Sequence, residues 1–175
     1  MNKLSELREM IAGLVEQITT LGNELSRLFD DINQLESALS DLEDQLLNFD
    51  RGIEIIHNEI NALNSILENW DEGESINIKF VYLDITDNGE MFYSENIETR
   101  VQNGDTRNEI LKKISDYQEK VAEFNTYKQH KKIQIHDVRE LIESSNTQIA
   151  EKQDQIAVLQ NQIKEIQDEI NAIVN

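Results

Sequence analysis

From Leu4 onward, apolar residues recur at alternating steps of three and four: Leu4, Leu7, Ile11, Leu14, Ile18 and Leu21, then on through Leu46, Phe49, Ile53 and Ile56 to Trp70. The series has no miss over ten heptads. A straight helix drifts away from a 3.5-residue repeat, so a seam this regular keeps facing one partner only if the helices supercoil. At 1.5 Å per residue the predicted rod is roughly 100 Å long. The same step returns between Ile110 and Ile173, with Lys128, Lys131, Ser145 and Lys152 standing in seam positions. The two arms are nearly equal in length. Folding the chain at its middle sets Leu67 against Ile114, Leu46 against Ile135 and Leu7 against Ile173, burying both seams without a second chain.

Between the arms the period changes. Asp71-Glu72-Gly73-Glu74-Ser75 offers a glycine suited to capping a helix C-terminus, and Ile76 to Ile85 is rich in β-branched and aromatic residues, as strands are. Asn88-Gly89 fits a two-residue type I′ hairpin turn. Met91-Phe92-Tyr93-Ser94 then returns as a second strand, and Thr106-x-x-Glu109 reads as a capping box that restarts a helix. The predicted organisation is a coiled-coil helix over 1–72, a β head over 73–107 and a second coiled-coil helix over 108–175. The expected fold class is mainly α: a long antiparallel coiled-coil hairpin with a small antiparallel β-hairpin head at the bend.

A two-residue turn puts Ile78, Phe80, Tyr82, Met91, Tyr93 and Ile97 on one face of the hairpin, and Val81, Leu83, Ile85 and Phe92 on the other. Both faces are apolar, and an isolated two-stranded hairpin is marginal in water. The head is therefore expected to associate with another head or a partner's sheet through Phe80, Tyr82, Leu83, Ile85, Phe92 and Tyr93. The competing reading folds it over Trp70 and Ile110. In the rods, Lys128 and Lys131 fall near Asp50 and Glu54, giving a polar layer in which lysine stems cover the seam and their ammonium groups reach the carboxylates. Gly52 beside it suggests a flexible joint.

Composition narrows the function. Aromatic residues make up 6% of the chain and there is no Pro, which suits an elongated helical object better than a thick core. The absence of Cys suits a reducing compartment and removes thiolate chemistry. No run approaches the roughly 18 to 20 apolar residues that span a bilayer, and the start lacks a secretory apolar segment, so a cytoplasmic location is expected. A net charge of -19 disfavours direct binding to nucleic acid or anionic membrane and leaves protein partners. His57, His130 and His136 are not spaced to share a helix face, and no hydrolase, zinc or phosphate-loop motif occurs. The expectation is a protein that is not an enzyme and carries no cofactor or metal.

The order helix, apolar strand, Gly turn, aromatic strand, helix is similar to prefoldin subunits. The segment Val81-Tyr82-Leu83-Asp84-Ile85-Thr86-Asp87-Asn88-Gly89-Glu90-Met91-Phe92-Tyr93 loosely resembles that family's hairpin. The resemblance implies heads that pair into a barrel and helical tips that hold non-native clients; Met1, Met10 and Val174 are the apolar tip candidates. Three functions follow: an assembly scaffold joined through its β head, a prefoldin-like holdase, and an acidic decoy that occupies a nucleic-acid-binding protein through Asp30, Asp31, Glu36, Asp41, Glu43 and Asp44. The scaffold needs only what the pattern supplies.

Overall fold

A computed structural model of the chain describes residues 2–175; Met1, one of the tip candidates, lies outside the described residues. The protein is mainly helical. Helix α1 (Lys3–Asn69) leads into strands β1 (Ser75–Ile85) and β2 (Met91–Val101), and helix α2 (Gly104–Val174) completes the chain. Asn2 caps α1, its side-chain oxygen accepting the Leu4 amide at 2.6 Å. At α2 the box lies one turn earlier than the sequence pattern suggests. Asn103 and Thr106 exchange side-chain and backbone hydrogen bonds of 2.9 Å each, so Asn103 is the cap and Glu109 is released to meet Arg100.

The chain divides into two compact units, Met1–Ala38 with Asp137–Asn175, and Leu39–His136. The first contains only helix. Leu7, Ile32, Ile149 and Ile166 are its buried apolar residues, and the other seam residues up to Ile170 are partly covered, while Ile173 is exposed. Lys152 reaches across to Glu24 at 2.7 Å, one turn from the Leu28 level that the matched seams assign it. A groove of about 590 Å³ beside this contact is lined by Leu21, Val158 and Leu159, with Gln17, Thr20, Asp154 and Gln155 around them.

In the second unit the β ribbon lies lengthwise on the helices. Ten residue steps of strand and the twenty-two helical steps from Asn48 to Trp70 both measure about 33 Å, so the two run alongside each other from end to end. At one end Trp70 Nε1 donates to the Glu74 carbonyl at 2.8 Å. At the other, Asn48 Nδ2 donates to the Gly89 carbonyl at 2.9 Å. Between these anchors Phe49, Ile56, Leu63, Ile78, Val81, Leu83, Ile85, Ile110, Ile114, Tyr117 and Phe124 form one core. The ribbon is thus laid onto the helices rather than standing off their ends.

The hairpin turn differs from expectation, and the difference moves the register. Thr86 accepts from the Gly89 amide at 2.8 Å and donates its own amide to Glu90 at 2.9 Å, leaving a three-residue loop. Gly89 has φ +80° and no other residue in the loop has a positive φ, which excludes the type I′ turn and fits a type I turn closed by a glycine bulge. Ile85 therefore pairs with Met91, Leu83 with Tyr93 and Asp84 with Phe92. A one-residue slip moves a strand's side chains to the other face. Tyr93 and Met91 consequently join the Leu83 face, whereas Phe92 joins Tyr82. Gly73, φ +81°, is likewise the third residue of a turn from Asp71 to Glu74, and its amide donates to the Gln102 carbonyl, so it starts the ribbon instead of capping α1.

Along β1 the covered side switches, from Ile76, Ile78 and Phe80 to Val81, Leu83 and Ile85. The ladder is continuous, so the switch reflects the strong right-handed twist of a two-stranded ribbon. Gly52 is the point of closest approach. A Cβ there would lie 2.4 Å from Ile85 Cδ1, so the glycine is a seat for the ribbon tip, which replaces its reading as a joint. Gly52→Ala is expected to lower stability despite its better helix propensity, and Ile85→Val in the same chain to restore most of the loss. Gly52→Leu should cost about 1–3 kcal/mol through overpacking, measured by denaturant unfolding.

Candidate functional site on the outer strand

The two strands have different surroundings. The Tyr117 hydroxyl accepts from the Val81 amide at 3.0 Å and donates to the Val81 carbonyl at 2.7 Å. Because both Val81 groups point at α2, odd-numbered residues of β1 aim their backbone groups away from β2, and the ladder bonds belong to the even ones. Tyr117 thereby closes the middle of the β1 edge. Lys79, on the same edge, bonds the nearly buried Glu59 of α1 at 2.9 Å. Lys120 adds a contact to Asp84 at 3.1 Å.

No such closure exists along most of β2. By the same alternation, Met91, Tyr93, Glu95, Ile97, Thr99 and Val101 turn their amides and carbonyls outward. The Val101 carbonyl accepts from the Thr106 hydroxyl at 2.8 Å and the Thr99 carbonyl from the Arg100 guanidinium at 3.2 Å, which closes the strand's C-terminal end. The side chains of Tyr82, Phe92, Tyr93, Ile97 and Val101 are all exposed, Ile97 to 68%. Edges are normally blunted by Pro, a bulge, a charge row or a short strand. This strand is eleven residues long, unbulged and without Pro.

The predicted head residues divide accordingly. Tyr82, Phe92 and Tyr93 lie on the surface, and Phe80 is half-buried against the core. Leu83 and Ile85 are 3% and 1% exposed, so they hold the ribbon to its own helices and present nothing to a partner, a correction that follows from the ribbon's lengthwise seat. In the predicted polar layer Lys128 pairs with Asp50, the Lys131 stem is buried, and Glu54 remains exposed. Beside it Phe49 packs at a tilt against Phe124 and Tyr127, with ring centroids 6.3 Å and 5.7 Å away. Sequence reasoning missed Tyr117, Glu59 and Lys79. Tyr117 sits at an ordinary seam position, where nothing marks its hydroxyl as a strand lock.

Each glutamate of β2 has a cation beside it. Glu95 has Lys79 at 4.0 Å and accepts from the Tyr93 hydroxyl, while Glu98 has Arg100 at 2.5 Å. The Tyr93 phenol is raised above its usual range, chiefly by that bond to Glu95. A second concavity of about 370 Å³ runs between the ribbon and α2, bordered by Tyr82, Asn96, Lys112, Lys113 and Asp116. Among the described residues no group of three or more His, Asp or Glu could hold a metal ion. Nor is any described helix long and apolar enough to cross a membrane. Comparison with family models, with curated proteins and with solved structures gives no match to this chain.

Burial raises the Tyr117 phenol, against the opposing effect of the Val81 backbone, and the hydrogen bond that Lys79 donates to Glu59 raises Lys79. Both groups favour the protonated form in the folded state, so their contribution is complete below about pH 10 and is lost as pH climbs through their folded values. Tyr117→Phe leaves both Val81 backbone groups without a partner and should cost about 1–3 kcal/mol at neutral pH. It should also flatten the loss of stability above about pH 10, followed by thermal unfolding across the alkaline range.

Proposed function

We propose that the protein is a non-enzymatic assembly element: its helices form an antiparallel coiled-coil hairpin, and its β ribbon joins it to other protein chains. The observation that carries this reading is the asymmetry of the ribbon. One strand is locked to the helices, whereas the other offers a long hydrogen-bonding edge flanked by exposed Tyr93 and Ile97 on one face and Tyr82 and Phe92 on the other. Leaving such an edge unpaired invites strand addition. Helix seams that, apart from Ile173, are at least partly covered within each unit, together with a net charge of -19, make the rods poor sites for self-association. A cytoplasmic role with protein partners, without nucleic acid, membrane or cofactor, fits this picture.

A prefoldin-like holdase is the second reading, and the apolar groove at Leu21, Val158 and Leu159 favours it, since an unfolded segment could lie there. The acidic decoy has less support: the carboxylates from Asp30 to Asp44 fall on both sides of the division between the two units.

Light scattering on the full chain should give a mass above that of one chain at micromolar concentration, weakly dependent on salt. Phe92→Asn with Tyr93→Asn should lower it while helix content and melting temperature hold, because both residues are exposed. A chain strictly monomeric at high concentration would exclude assembly through the ribbon. Suppressed aggregation of a denatured client, lost on Val158→Asp, would favour the holdase.

A further inference from the structure

Resting on the assembly reading, the geometry points to a specific partner for the open edge: β2 of a second copy of this chain, antiparallel, about a two-fold axis at Asn96. The resulting sheet has the strand order β1, β2, then β2 and β1 of the partner. Two properties select a second copy. First, the edge is the part of an acidic chain where each glutamate of the strand has a cation beside it, Lys79 near Glu95 and Arg100 on Glu98, so two copies meet there with less repulsion than at their helices. A basic peptide would find more attraction elsewhere on the molecule. Second, the pattern of β2 is compatible with its own reversal in few registers.

Consider two-fold axes at residues 94 to 98. An axis at Glu95 or Glu98 sets that glutamate directly opposite itself, and an axis at Ser94 sets Glu98 opposite Glu90. Like charges opposite one another destabilise a pair of strands. Axes at Asn96 and Ile97 avoid this, and each leaves one glutamate diagonal to its copy: Glu95 for the first, Glu98 for the second. Only the axis at Asn96 brings Arg100 diagonal to Glu90 of the partner, twice by symmetry.

In this register Glu95 lies opposite Ile97 and Tyr93 opposite Thr99, and the outward amides and carbonyls of all four residues exchange bonds across the axis. The Thr99 carbonyl keeps its Arg100 contact through its second lone pair. Met91 meets Val101, adding apolar contact at both ends. Asn96 itself falls in a pair without backbone hydrogen bonds, where the Cα atoms approach to about 4.5 Å, a separation that a disulfide can bridge.

Because the chain has no cysteine, Asn96→Cys introduces the only thiol. Under mild oxidation it should form a covalent dimer readily, while Ser94→Cys and Glu98→Cys, each displaced from the axis, should lag. Ile97→Glu sets glutamate against Glu95 of the partner and should reduce the mass in solution to a single chain with helix content unchanged. Adding Glu95→Lys to it should restore the dimer. Ile97→Pro removes only an outward amide and should also dissociate it. A dimer that survives Ile97→Glu, or a crosslink no faster at 96 than at 94 or 98, overturns the edge pairing while leaving assembly intact. A wild-type chain that never exceeds one copy in mass overturns both.

Discussion

A two-stranded β ribbon is marginal on its own in water, and the second unit is organised around that constraint. Its solution is to lay the ribbon lengthwise on two helices. The hydroxyl of Tyr117, held by both the amide and the carbonyl of Val81, ties the strand edge to α2 at the midpoint, where the ribbon's twist turns its edge toward the helix. On either side of that point the twist brings opposite faces of β1 inward, Ile78 before it and Leu83 and Ile85 after it. One strand thus supplies apolar cover from both of its faces. The glycine at 52 follows from the same demand, since Ile85 occupies the space a side chain would need.

Securing one strand exposes the other. With β1 taken by the helices, β2 is held mainly by its ladder and at its two ends, and the outward groups of its middle, together with Tyr93 and Ile97, face solvent. Stability of the chain and availability of an edge therefore come from one arrangement. The charge layout adds a second feature: in a chain of net charge -19, Lys79 and Arg100 stand beside the glutamates of the open edge. Lys79 contributes twice, since it also bonds the covered Glu59 of α1.

The two units treat the same heptad seam differently. In the first, helix alone covers the seam, and most of its residues are only partly buried. In the second, the ribbon adds a third layer, and Phe49, Ile56, Leu63 and Phe124 are fully enclosed. Burial of a side chain of this size contributes about 1.5–3 kcal/mol. Local stability is therefore expected to concentrate in Leu39–His136.

The sequence by itself determined the periodic elements. A 3.5-residue repeat without a miss can only be helix, and β-branched residues closed by glycine-bearing turns mark two strands, so both helices and both strands are legible in the order of residues. Register was not. Asn88-Gly89 serves a two-residue or a three-residue loop equally well, and the choice depended on Gly89 packing against Gln45 and its carbonyl bonding Asn48, forty-one residues away in the chain. That choice moved Tyr93 and Phe92 to opposite faces. Sequence also listed Leu83 and Ile85 with Phe92 as apolar and available, because hydrophobicity alone does not say which surface covers it. Only the tertiary structure, by turning the ribbon down onto the helices and twisting it at Val81, separated the residues that hold the fold from those that face outward.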